Sequence, residues 1–141
     1  LVLSAQGDLS AARAALSDTD TLRSTLEQQP TNPRLWSELG AREAIVGHKD
    51  EALRCARKAM ELQPESLNAW RGPQWSASLA FVYAWTGDRD RAIAEYARLL
   101  RVPWSGLNVH EMKRHPAYHP LRGNPRFEAL LNDPKNNAPL F

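Results

Sequence analysis

The feature that most constrains this chain is a threefold echo: QGDLSAARAAL at 6–16, VGHKDEALRCA at 46–56 and TGDRDRAIAEY at 86–96. Gly7, Gly47 and Gly87 stand 40 residues apart, and an alanine follows five places after each, as Ala12, Ala52 and Ala92. A fixed period of this length marks supersecondary units that bury their apolar faces against one another. Each unit reads as helix, glycine-centred turn, helix. The expected fold is therefore all-α.

The central copy shows why. Asn32 is placed to cap a helix whose first residue is Pro33, and Leu35, Trp36, Leu39 and Ala44 recur with helical spacing. Gly47 suits the left-handed conformation that ends many helices. Asp50 opens the second helix, with Ala52, Leu53, Ala56, Ala59, Met60 and Leu62 on one stripe until Pro64 stops it. Two such helices pack antiparallel, and the recurring alanine sits where their axes approach closely. In the first unit, LVLSAQGD reads as the tail of one helix and Ala11–Leu16 as the next; SDTD at 17–20 then predicts a break before a short helix carrying Leu22 and Leu26.

The segment Pro33–Ser66, PRLWSELGAREAIVGHKDEALRCARKAMELQPES, resembles a tetratricopeptide repeat over its full 34-residue pattern, with Trp36, Leu39, Gly40, Ala52, Ala59 and Pro64 at signature positions. Glu43 stands where that pattern has an aromatic and Ala56 replaces a large residue, which predicts a loose or wet corner. Pro73–Val102 resembles the same repeat through Leu79, Ala80, Tyr83, Gly87, Ala92 and Tyr96, with LNAWRG at 67–72 as an insertion. The resemblance implies a short solenoid: a partial unit at 1–31, repeats at 32–66 and 67–105, and capping helices with a tail at 106–141.

The stretch VHEMKRHPAYHPLRGNP at 109–125 nearly spells a zinc-protease motif, but its geometry fails. His110 and His115 are five residues apart, about 140° around a helix, and cannot grip one ion together. His115 and His119 have the right spacing, yet Pro116 and Pro120 disfavour helix at each. His115-Pro116, His119-Pro120 and Asn124-Pro125 read instead as three cap-then-proline helix starts. The stretch also resembles the closing segment of some bacterial tetratricopeptide regions, where aspartates are usual at these three positions and tryptophan at Tyr118. On that comparison Leu121, Phe127, Leu130 and Leu131 cover the last repeat and Arg126 and Glu128 face solvent.

Other chemistry is not signalled. The sequence contains no nucleophile elbow, phosphate loop or dinucleotide turn. The single cysteine, Cys55, reads as a buried thiol, and the carboxylates Asp18, Asp20, Asp88 and Asp90 fall where helix capping explains them. The expectation is no enzyme, no cofactor and no metal. A net charge of +2 does not argue for nucleic acid, and no apolar run predicts membrane insertion. The cations Arg101, Lys113, Arg114, Arg122 and Arg126 crowd one end, which reads first as a solvated charged end and second as a field able to steer an acidic partner. Because the chain opens on LVLSAQGD without a methionine, it is expected to belong to a longer protein. Compartment stays open, with the cytoplasm slightly ahead.

The resemblance implies a concave side lined by first helices. Its register puts Arg34, Ser37, Ala41, Ala44 and Ile45 there from one unit, and Gln74, Ala77, Phe81, Ala84 and Trp85 from the next. Phe81 and Trp85 then either floor a groove for a peptide or protein segment or are buried by the C-terminal helices; the cap either seals the last hairpin or also forms one wall. Glu38 and Ala41 stand where the carboxylate-binding subclass needs asparagines, so a C-terminal carboxylate is not the expected ligand. The expected function is a protein-interaction or regulatory scaffold within a larger, bacterial signalling-type protein. The alternative is a structural, self-associating homo-oligomer; a metal-dependent enzyme ranks third.

Overall fold

The computed structural model describes residues 9–103 and 105–137, with side chains from residue 19 to 136. Five longer helices, α1 (Leu9–Gln28), α2 (Pro33–Ile45), α3 (Lys49–Leu62), α4 (Gly72–Trp85) and α5 (Arg89–Leu99), precede a run of short ones. These are α6 (Val109–Arg114), a 3-10 segment η1 (Pro116–Leu121), α7 (Pro125–Asn132) and α8 (Pro134–Asn137). The described residues contain helices and no strand. The expected tail of a first helix at 1–8, with Gly7, and the side chain of Ala12 lie outside the described residues.

Two turns built alike make two hairpins. Gly47 has φ 89° and Gly87 φ 93°, a region open to residues without Cβ. Beyond Gly47, the His48 N–H reaches back to the Glu43 carbonyl at 2.9 Å; beyond Gly87, the Asp88 N–H reaches the Tyr83 carbonyl at 2.9 Å. This six-to-one bond satisfies the orphan carbonyls of the ending helix and sends the chain back along it. Ala52 and Ala92, five residues on, are fully buried where the helices of each hairpin meet. Gly40 sits opposite the first: a Cβ built there lies 3.1 Å from the Ala52 carbonyl oxygen.

Three apolar clusters run along the molecule. Leu22, Leu26, Leu39 and Cys55 join α1 to the first hairpin. Ala44, Ala52, Ala56, Phe81 and Val82 join the hairpins to each other. Ile93, Tyr96, Met112, Tyr118, Leu121 and Phe127 belong to the largest cluster, which seats the C-terminal segments on α4 and α5. Leu121, Phe127 and Leu131 are buried there, while Arg126 and Glu128 are exposed.

Several local expectations are corrected. SDTD does not break α1, which runs through it; with no glycine or proline the propensity cost is small, and burial of Leu22 and Leu26 outweighs it. Asp20 therefore lies inside a helix and caps nothing. Asp88 occupies an N-cap position without a side-chain cap bond, pairing instead with Arg91 at 3.4 Å, and Asp90 pairs with Arg126 at 2.9 Å. The Glu43 corner is neither loose nor wet: its carboxylate, 5% exposed, takes the Arg23 guanidinium at 2.9 Å and the His48 ring at 2.6 Å. Two charged groups fill the place of the missing aromatic, and Arg23 ties α1 to the hairpin.

The inserted LNAWRG is itself turned. Asn68 donates to the Pro64 carbonyl at 2.9 Å and receives the Arg71 N–H on its Oδ1 at 2.8 Å. Gly72 then packs on the backbone of Glu65, so closely that a Cβ would fall 2.5 Å from the Glu65 Cα. Glu65 in turn accepts from the buried Ser76 hydroxyl and from Arg98 at 2.6 Å, and the Arg98 guanidinium holds its carboxyl below the usual range. Gly72→Ala is expected to destabilise the fold by about 2 kcal/mol in denaturant titration, although alanine is the better helix former, because backbone must move to admit the methyl.

A second test concerns Glu51, which holds Arg54 at 2.7 Å and Arg23 at 3.4 Å. The Arg54 guanidinium, aided by Arg23, lowers its carboxyl to about 2. A depressed folded-state pKa contributes stability above the unfolded value of 4.5 that is lost as pH falls towards 2. Glu51→Gln should therefore cost about 0.5–1 kcal/mol at neutral pH, with the difference from wild type shrinking to nothing in melts taken between pH 4.5 and pH 2.

Candidate functional site

The two hairpins and the C-terminal segments enclose a groove of about 280 Å³. Its α2 side is Ala41, its α4 side Gln74, Ala77, Ser78 and Phe81, and its far wall His115, Ala117 and Tyr118, with Tyr96 of α5 behind. The small residues make the space: alanines at 41, 77 and 117 leave volume that larger side chains would fill. Exposed surface inside it is overwhelmingly apolar.

The wall is held by directed bonds. His115 starts η1, its Nδ1 accepting the Ala117 N–H at 3.1 Å. The Ala117 carbonyl accepts the Trp85 indole N–H at 2.9 Å, fastening η1 to the end of α4. Arg122 reaches back to the Met112, Lys113 and His115 carbonyls at 3.1, 2.7 and 2.7 Å, closing the end of α6. Tyr118 packs edge-on to Tyr96 with centroids 5.2 Å apart and stacks on Phe127 at 6.4 Å. Burial raises the Tyr118 phenol to about 12, with the Glu111 charge adding to it, and burial pushes Tyr96 well above its ordinary value. Both stay neutral, so the groove carries no phenolate.

The residues expected on a concave side divide. Ala41, Gln74, Ala77 and Phe81 line the groove. Arg34 is exposed at the start of α2, where its N–H meets the Asn32 cap at 3.1 Å. The Ser37 hydroxyl is bonded to that of Ser78, joining α2 to α4 beside the groove. Ala44 and Ala84 are buried, and Ile45 is half-buried against the inter-hairpin cluster. Trp85 is half-buried, its ring 5.6 Å from Phe81, and acts as a strut to the cap. Phe81, 9% exposed, is largely covered yet still floors the groove.

Ser78, Tyr96, His115, Ala117 and Tyr118 were not among the expected lining. The signal for the last three was the cap-then-proline string, which set where η1 begins but not which surface it meets. Two of its three starts form as expected: His115 caps η1, and Asn124 Oδ1 accepts the Arg126 N–H at 3.0 Å at the start of α7. His119-Pro120 starts nothing and lies inside η1, whose i→i+3 turns absorb the proline.

Cys55 is fully buried and burial raises its thiol to about 12, far from a reactive thiolate. Among the described residues no group of three His, Cys, Asp or Glu side chains is placed to hold a metal, and no helix is long and apolar enough to cross a membrane. No family model, curated protein or solved structure matches the chain. Trp85→Phe keeps the ring but removes the donor to Ala117; it should lower stability by about 1 kcal/mol and speed amide exchange in η1 while leaving α2–α5 protected.

Proposed function

We propose that this chain is a protein-interaction module of tetratricopeptide-like hairpins, a scaffold unit of a larger protein, whose groove takes an apolar anchor residue from a partner segment. The observation that carries this reading is the walled groove itself: an apolar floor at Phe81, alanines along both sides, and polar side chains at Gln74, Ser78 and His115 beside the neutral phenols of Tyr96 and Tyr118. Its volume of about 280 Å³ falls at the lower limit of pockets that enclose small ligands and suits one or two side chains better. A preformed pocket for a buried anchor is where interface energy concentrates, and a rigid one avoids the entropy of ordering it. Gln74 and Ser78 at its rim offer the hydrogen bonds an extended or helical segment needs.

One observation favours the self-association reading. Leu67 is 85% exposed and Trp70 60%, both within the inserted segment 67–72. Large apolar side chains so exposed would be covered if copies of the chain met there. The two readings part on mutation. Peptides selected on the wild-type chain from a random display library should lose at least about tenfold in affinity for Ala77→Trp, which fills the groove, and none for Trp70→Ser. Should sedimentation show a dimer that Trp70→Ser disperses, and should Ala77→Trp bind as wild type does, self-association replaces the groove.

A further inference from the structure

His115 holds the groove wall in one protonation state only. A backbone N–H can only donate, so Nδ1, receiving the Ala117 N–H, carries a lone pair, and the ring is neutral with its proton on Nε2. His48 is the opposite case. Its Nδ1 lies 2.6 Å from the Glu43 carboxylate, an acceptor, so that ring donates and goes on donating when protonated. An imidazolium has two donors and no acceptor. Acid therefore leaves the His48 contact in place and removes that of His115.

The groups facing His115 do not replace the lost acceptor. On its own helix the Glu111 carbonyl accepts the His115 N–H at 2.8 Å, and the Glu111 side chain shares a neighbouring cleft with it; Arg114 precedes it, exposed. The Arg122 guanidinium sits on the His115 carbonyl at 2.7 Å. From η1 come the edge-on Tyr118 ring, 6.2 Å away, and the exposed His119. From α4 come Gln74 and Ser78, uncharged, and from α5 the neutral Tyr96. A protonated Nδ1–H would then point at the Ala117 N–H, donor against donor.

We infer that His115 is a proton-operated latch on the groove: protonating it withdraws the cap of η1 and frees Ala117 from the Trp85 strut at the end of α4. The consequence for partners, weaker binding in acid, rests on the groove being the binding site; the structural change does not. The test uses the whole chain as wild type and as His115→Asn, whose amide oxygen accepts at any pH, with His115→Asp as a second non-imidazole cap that stays ionised above its ordinary pKa. Solvent exchange of the Ala117 amide and the Trp85 indole proton is followed by NMR from pH 7.5 to 5.0, corrected for intrinsic exchange. Wild type should lose at least about fivefold in protection at both positions, and the variants should keep it. Equal loss in wild type and variants, or no loss in wild type, overturns the latch. Neither readout involves a partner. Library-selected peptides that bind equally at both pH values to a wild type whose Ala117 has opened would sink the groove reading and leave the latch standing.

Discussion

The left-handed glycine turn is the constraint on which the rest depends. Gly47 and Gly87 each let a helix end and its successor run back along it within two or three residues. A Cβ meets no neighbour at either place, so it is the backbone conformation, not space, that asks for glycine. Once the chain returns so tightly, the residue five places on must be small, and Ala52 and Ala92 are. Close packing within each hairpin then leaves the outer faces of α2 and α4 to find one another, which sets Ala41 beside Ala77 and Phe81 and begins the groove.

That chain of causes was legible in the residues because it is periodic and local. The helices of the central hairpin, its cap at Asn32 and the turn glycines follow from spacing and from residues with few conformational options. What could not be read was tertiary. Glu43 is polar at an aromatic's position, and the partner that ties it to α1, Arg23, stands 20 residues upstream. SDTD resembles a break because its residues favour caps, but the buried leucines that follow hold it helical. Trp85 was expected either to floor a groove or to be buried by the C-terminal helices; nothing in its surroundings in the sequence told that its indole N–H is committed to a carbonyl 32 residues on.

The cap is part of the fold rather than a lid laid on it. Val109, Met112, Leu121 and Phe127 are essentially inaccessible, and each such side chain contributes about 1.5–3 kcal/mol by burial. Their burial works against the entropy cost of ordering a segment whose helices are too short to stand alone. The groove is thus a seam left between two well-packed bodies, kept open by the alanines that line it, with the large residues beneath.

Charge at this end does less than composition suggests. Arg122 is bound to three carbonyls, Arg89 to that of Pro120 at 3.0 Å, Arg101 to that of Lys135 at 2.8 Å, and Arg126 to Asp90. Guanidinium suits these tasks, since its fixed fork of donors can satisfy several carbonyls at short helix ends where no further turn of helix can. Their positive charge persists, but they are anchored by short-range bonds that salt screens less than a free surface pair. The basic run is therefore first of all the means by which a proline-broken segment closes its helix ends.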